Sequence, residues 1–208
     1  MNRIIPAVLL FCILPKLSAQ QEDALLYYRQ GQYQDAVRVC LKELRDKNHN
    51  QTRRRMDSYS VLGWSYLRLG QYENALNSAR EARQELRYDV RIIEIEGEAL
   101  YYLGRHTEAL SLFEEYVSLT TRAQGDRIDT VYYFMGEIFL RLAEYQHADI
   151  AFSAALHYNP QAAQWWARLG YVREQIPNTQ GAKTAYTKAL ELMPTLEDAR
   201  AGLDRLGQ

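Results

Sequence analysis

Cysteine, proline and glycine are all scarce in this chain. Two cysteines leave room for one disulfide at most. Eleven glycines and five prolines among 208 residues are too few for the closely spaced turns of a loop-rich or all-β protein. Neither sign of charge dominates, with 25 Lys+Arg against 26 Asp+Glu. The basic footprint of a nucleic-acid binder is therefore missing, and no nucleic-acid partner is expected. Beyond the first twenty residues no apolar run is long enough to span a bilayer, which excludes a polytopic membrane protein. At 47% hydrophobic and 25% charged, the chain also has too much to bury to be a disordered tail. A mostly helical, soluble fold is left. What the chain has in excess is tyrosine, sixteen against five phenylalanines, and arginine over lysine. Both residue types are enriched where binding energy concentrates.

The first twenty residues differ in composition. Arg3 gives a positive start, residues 4–14 are an apolar run of eleven, and Leu17-Ser18-Ala19 ends on a small residue. That is the order of parts in a secretory signal, and eleven residues with Pro6 inside them are short of the roughly 20 a membrane-crossing helix needs. Residues 1–19 are expected to be removed, leaving a mature chain that begins at Gln20, with no membrane span, exported to a bacterial periplasm or secreted. Cys12 is a poor lipidation site because Phe11 stands where a small residue is wanted. Cys40 is then the only cysteine of the mature chain, and it is expected to be a buried, unreactive hydrophobe.

The mature chain repeats itself. A turn residue, an aromatic or polar residue two later and an alanine three after that recur at Gly31-x-Tyr33-x2-Ala36, Gly70-x-Tyr72-x2-Ala75, Gly104-x-His106-x2-Ala109, Ala143-x-Tyr145-x2-Ala148 and Pro177-x-Thr179-x2-Ala182. The alanines are spaced 39, 34, 39 and 34 apart. A second motif precedes four of them, at Tyr59-x2-Leu62-Gly63-x2-Tyr66, Ile93-x2-Glu96-Gly97-x2-Leu100, Tyr132-x2-Met135-Gly136-x2-Phe139 and Trp166-x2-Leu169-Gly170-x2-Arg173, with its glycines 34, 39 and 34 apart. Four residues past each alanine stands Cys40, Ala79, Phe113, Phe152 or Tyr186, and Pro160 and Pro194 close the last two segments. This pattern resembles the tetratricopeptide repeat family, whose period is 34 and whose signature is W-x2-L-G-x2-Y, A-x3-F, P.

The resemblance implies an all-α fold: a right-handed solenoid of about five helix-turn-helix pairs over 20–208, with repeats near 20–50, 56–89, 90–123, 129–162 and 163–196 and a short capping helix at 197–208. Gly31, Gly70 and Gly104 are expected to end first helices in the left-handed conformation. The helix glycines and the alanines are expected to face one another, small against small, so that paired helices close up. The 39-residue spacings place five-residue insertions around 47–55 and 120–129, between pairs. Arg53-Arg54-Arg55 falls in the first of them and reads as a solvated loop or helix start. Leu196, Ala199, Leu203 and Leu206 make the apolar stripe of the cap.

Chemistry-bearing constellations are missing. The sequence has no G-x-S-x-G, H-E-x-x-H, phosphate-binding glycine loop, EF-hand spacing or C-x2-C pair, and His49, His106, His147 and His157 are scattered. No catalytic residue, cofactor or metal is expected. Glu94 and Glu98 share a helix face, but no nucleophile or metal ligand accompanies them. In the family the first helix of each pair lines the concave side. By resemblance the partner-binding groove would present Trp64, Arg68, Glu94, Glu98, Tyr101, Tyr102, Tyr133, Glu137, Arg141 and Tyr171, with Tyr28, Arg29 and Glu174 beside them. Glu94, Glu98 and Glu137 are expected to cluster as free carboxylates for a cationic partner. The Lys and Asn clamp of co-chaperones is absent, since Ser60 and Trp64, Glu94 and Glu98, Tyr133 and Glu137, and Ala167 and Tyr171 occupy its faces. The expected function is a non-enzymatic, exported scaffold or adaptor that binds a protein or peptide. The alternatives are a self-assembling structural protein, hence a homo-oligomer, and an accessory subunit of an envelope transporter.

Overall fold

The computed structural model describes residues 22–120 and 127–207. The expected signal at 1–19 and the centre of the second insertion lie outside the described residues. Eleven α-helices and no strands make up the described chain: α1 Ala24–Arg29, α2 Tyr33–Arg45, α3 Thr52–Arg68, α4 Tyr72–Glu85, α5 Val90–Tyr102, α6 His106–Leu119, α7 Ile128–Arg141, α8 Tyr145–Tyr158, α9 Ala163–Gln175, α10 Thr179–Leu192 and α11 Glu197–Arg205. Each helix packs on the next in the chain, and α3–α5 and α5–α7 pack as well, so the pairs stack into a solenoid closed by α11.

The turn inside each pair is one structure used again and again. Gly31, Gly70 and Gly104 have φ of +76°, +69° and +77°, and Ala143 takes the same place at +57°. The following residue reaches back along the chain: Gln32 N–H to Tyr27 O at 2.9 Å, Gln71 to Tyr66 at 2.9 Å, Arg105 to Leu100 at 2.9 Å and Glu144 to Phe139 at 2.8 Å. That bond, with the shorter one inside it, satisfies carbonyls which a helix end would otherwise leave open. In the fifth pair Asn178 N–H still reaches Arg173 O at 2.9 Å. Pro177 has no N–H for the inner bond, and Asn178 instead caps α10 through its side chain.

Small does not face small in the packing between paired helices. A Cβ placed on Gly97 would lie 2.5 Å from the Phe113 ring, one on Gly136 2.9 Å from Phe152 and one on Gly170 2.7 Å from Tyr186. The glycine therefore admits the ring that stands four residues beyond the in-phase alanine of its partner helix. In the second pair that position is Ala79, too small to reach, and Ile95 of the next first helix fills the gap against Gly63 at 2.6 Å. The alanines, all fully buried, close the rest of the helix contact.

Departures from the repeat pattern find their partners on the outer side. Glu96 accepts from Arg80 at 3.2 Å and Arg83 at 3.0 Å, and Arg83 also holds Glu115 at 2.9 Å, tying α4, α5 and α6 together. Arg173 donates to Asp149 at 2.7 Å. The first insertion lengthens α3 to 17 residues, against 13 in α5 and α9. Arg53 and Arg54 are exposed on that extra turn. Arg55 is committed to structure, with bonds to Glu85 of 2.6 to 3.1 Å and one to Leu44 O at 3.0 Å. At the other end Ala199 is fully buried and Gly202 leaves room for the Tyr186 ring.

Cys40 is fully buried on α2. Burial, with Glu43 close by, pushes its thiol up to about 12. Only the thiolate reacts, so alkylation of the native protein at about pH 8 is expected to be at least roughly a hundredfold slower than in denaturant, followed by mass. Equal rates would contradict the packing of α2.

Candidate functional site

The inner side of the solenoid is an open groove of about 660 Å³ to which every first helix contributes. Tyr28 comes from α1, Trp64, Leu67 and Arg68 from α3, Glu98 and Tyr102 from α5, and Thr130, Tyr133 and Phe134 from α7; Gln164, Trp165, Ala167 and Arg168 come from α9, and Asp198 from α11. The repeat explains this convergence, because residues at equal phase on stacked helices point the same way. Trp64, Glu98, Glu137 and Tyr171 each follow a helix glycine by one residue. Arg68, Tyr102 and Arg141 each follow one by five.

Smaller cavities continue the groove on both sides. Trp64 and Arg127 are shared with a cavity of about 480 Å³ lined by Leu86, Tyr88 and Tyr116. Arg168 is shared with one of about 300 Å³ that holds Glu137, Arg141 and Tyr171. The aromatic rings are ordered against each other. Tyr133 stacks on Trp165 at 4.9 Å, Tyr102 stacks on Tyr72 at 4.6 Å and meets Phe134 edge-on at 5.8 Å, and Tyr28 leans on Trp64 at 6.2 Å.

The carboxylates are not free. Glu94, Glu98 and Glu137 are 1%, 6% and 3% exposed. Glu94 accepts from Arg127 Nε at 2.5 Å and from Trp64 Nε1 at 3.2 Å, and Glu98 accepts from the same arginine at 2.7 Å. Glu137 takes a two-pronged bond from Arg168, both distances 2.6 Å. The expectation of three open carboxylates awaiting a cation is thus corrected: the chain supplies the cations itself. Burial and the neighbouring Glu98 push the Glu94 carboxyl well above the usual range, with Arg127 pulling the other way. Sequence reasoning misses the two arginines because neither belongs to the motif. Arg127 sits at the end of the second insertion, and Arg168 takes a phase held by Val61, Ile95 and Phe134 elsewhere. The arithmetic of buried charge was the available signal, since three carboxylates on an inward face require partners.

The remaining expected residues divide. Trp64, Arg68, Tyr102 and Tyr133 line the main groove, while Arg141 and Tyr171 line its extension. Tyr101 lies beneath the rim, edge-on to Tyr102 at 5.3 Å with the Arg141 guanidinium 5.6 Å over its ring. Glu174 leaves the groove set altogether, accepting from Arg205 at 2.8 Å and Tyr186 at 2.7 Å to hold α11. Trp165, Phe134 and Thr130 join the groove without having been expected. Among the described residues there is no cluster of potential metal ligands and no helix long and apolar enough to cross a membrane.

A family model described as tetratricopeptide repeat matches residues 22–90, 60–126 and 135–197. No curated protein matches the chain. Among solved structures, MamA superposes with a TM-score of 0.66 at 19% identity over 82% of this chain and 94% of its own. TTC0263, a thermophilic TPR protein of Thermus thermophilus, gives 0.62 at 18% identity, over 88% and 94%. YrrB, described as a TPR protein with an unusual peptide-binding site, gives 0.65 at 18% identity, over 87% and 88%. At these identities the likeness is one of fold.

Proposed function

The chain belongs to the tetratricopeptide repeat family, and from that premise we propose that it is a non-enzymatic, exported scaffold that holds an extended segment of a partner protein in its inner groove. The carrying observation is the continuity of the groove: cavities that share Trp64, Arg127 and Arg168 make one track across successive first helices, a shape suited to a strand-like chain. Its rings offer rigid contact area at small entropic cost. YrrB, similar in fold, is described as having a peptide-binding site, which agrees with this reading. Export rests on the composition of residues 1–19.

The test is a selection of phage-displayed peptides of about twelve residues on the immobilised full-length protein, followed by anisotropy titration of the selected sequences. Trp165→Ala and Trp64→Ala are each expected to weaken binding about tenfold or more, roughly 1.4 kcal/mol. Circular dichroism should stay unchanged for Trp165→Ala, because that ring is only half-buried. Binding that ignores both substitutions would remove the groove from consideration. For export, N-terminal sequencing of protein from the native envelope should give Gln20, and a retained Met1 would refute it.

A further inference from the structure

Once Arg127 and Arg168 are spent on the groove's own carboxylates, two cations of the groove remain unmatched. Arg68 and Arg141 are exposed, and neither forms an ion pair with any described carboxylate. Arg68 lies beside the Tyr28 phenol, whose interaction raises its pKa, and Arg141 rests on the Tyr101 ring, its guanidinium also 3.4 Å from the Tyr101 hydroxyl. Both stand five residues after a helix glycine, on α3 and α7, and the same position on the intervening α5 is Tyr102, 47% exposed. The rim of the groove therefore carries a row of cation, aromatic ring and cation on three consecutive first helices.

We propose that this row selects an acidic partner segment: two carboxylate side chains flanking an apolar or aromatic one. The inference rests on the groove reading above and adds its polarity, which is opposite to the one that Glu94, Glu98 and Glu137 suggest when read from the sequence. Packed helices lie about 8–10 Å apart, so α3 and α7 are separated by roughly 16–20 Å. An extended chain covers about 3.3 Å per residue, which puts the two carboxylates about five or six residues apart with the apolar side chain over Tyr102. Guanidinium groups suit this task because their planar fork matches a carboxylate. Asp198 lines the groove from α11, at the other end of the helix order, and confines the acidity of the ligand to the α3–α7 side. Both arginines also stand in the last turn of a helix, where a cation complements the helix dipole. That role affects melting and not the choice of ligand, so the two are separable.

The experiment reads the composition of the phage-selected peptides and their affinity for Arg68→Glu, Arg141→Glu and Trp165→Ala proteins, with Arg53→Glu as an exposed control. Selected sequences should carry two Asp or Glu about five or six apart around an apolar residue. Each groove reversal should weaken them at least about tenfold, the Arg53 control less than about twofold, and raising the salt from about 20 to about 150 mM should weaken them further. Selected peptides that are basic or uncharged, or that bind both reversed proteins as well as the parent, overturn the acidic inference. If those peptides are still lost on Trp165→Ala, the groove reading survives without it. If no selected peptide depends on Trp165 or Trp64, both fail.

Discussion

Replacing Glu94 with lysine is expected to lower the stability of the protein by about 3 kcal/mol or more, a loss of roughly 6–12 °C in melting temperature for a chain of this size. Glu94 is 1% exposed and joins three first helices, accepting from Trp64 of α3 and from Arg127 at the head of α7 while itself standing on α5. A lysine there removes the acceptor of Arg127 and Trp64 and sets a buried like charge against Arg127. Glu94→Gln should cost less, because an amide oxygen can still accept from Trp64 or Arg127. Glu73→Lys, on the exposed side of α4, should be nearly neutral. The measurement is denaturant unfolding followed by circular dichroism. A Glu94→Lys protein as stable as the parent would mean that the Arg127 bridge contributes nothing. The sequence alone points the other way for these carboxylates, toward free charges that await a cationic partner. Arg127 and Arg168 are the reason for the difference.

The second large effect is steric. Gly97→Ala places a methyl 2.5 Å from Cε1 of Phe113, and that ring is fully buried and stacked at 5.8 Å on Phe134 of the next pair. The ring has no free end to move, so the helices α5 and α6 must part. A loss of about 1–3 kcal/mol is expected despite alanine's better helix propensity. Combining it with Phe113→Leu, which retracts the ring, should recover part of that loss. A cycle of the two single variants and the double variant would then give a coupling energy of about 1 kcal/mol or more. Additive behaviour would show that the glycine is kept for some reason other than the ring.

The fold was legible because its information is periodic. Two motifs in phase fix where each helix begins and ends, and the turns at Gly31, Gly70 and Gly104 have the left-handed backbone that their glycines imply. The pairing of Gly97 with Phe113 was harder to read. A helical wheel shows which residues share a face, but the meeting of faces depends on ring size, as the packing of Ile95 on Gly63 in place of an absent ring shows. The groove was legible in its aromatics and illegible in its charge. Trp64, Tyr102 and Tyr133 follow from phase alone. The polarity depends on Arg127 and Arg168, which lie outside the motif and whose reach across to α5 and α7 no spacing rule encodes.

The junctions between first helices are not alike. α3 packs on α5 and, more sparsely, α5 on α7, whereas α7 and α9 are joined across the groove by the Tyr133–Trp165 stack and the Arg168–Glu137 pair. Opening that junction strains two side-chain contacts and leaves the α8–α9 packing as the pivot. Since both contacts also line the groove or its extension, any change in the spacing of α7 and α9 changes the width of the groove with it.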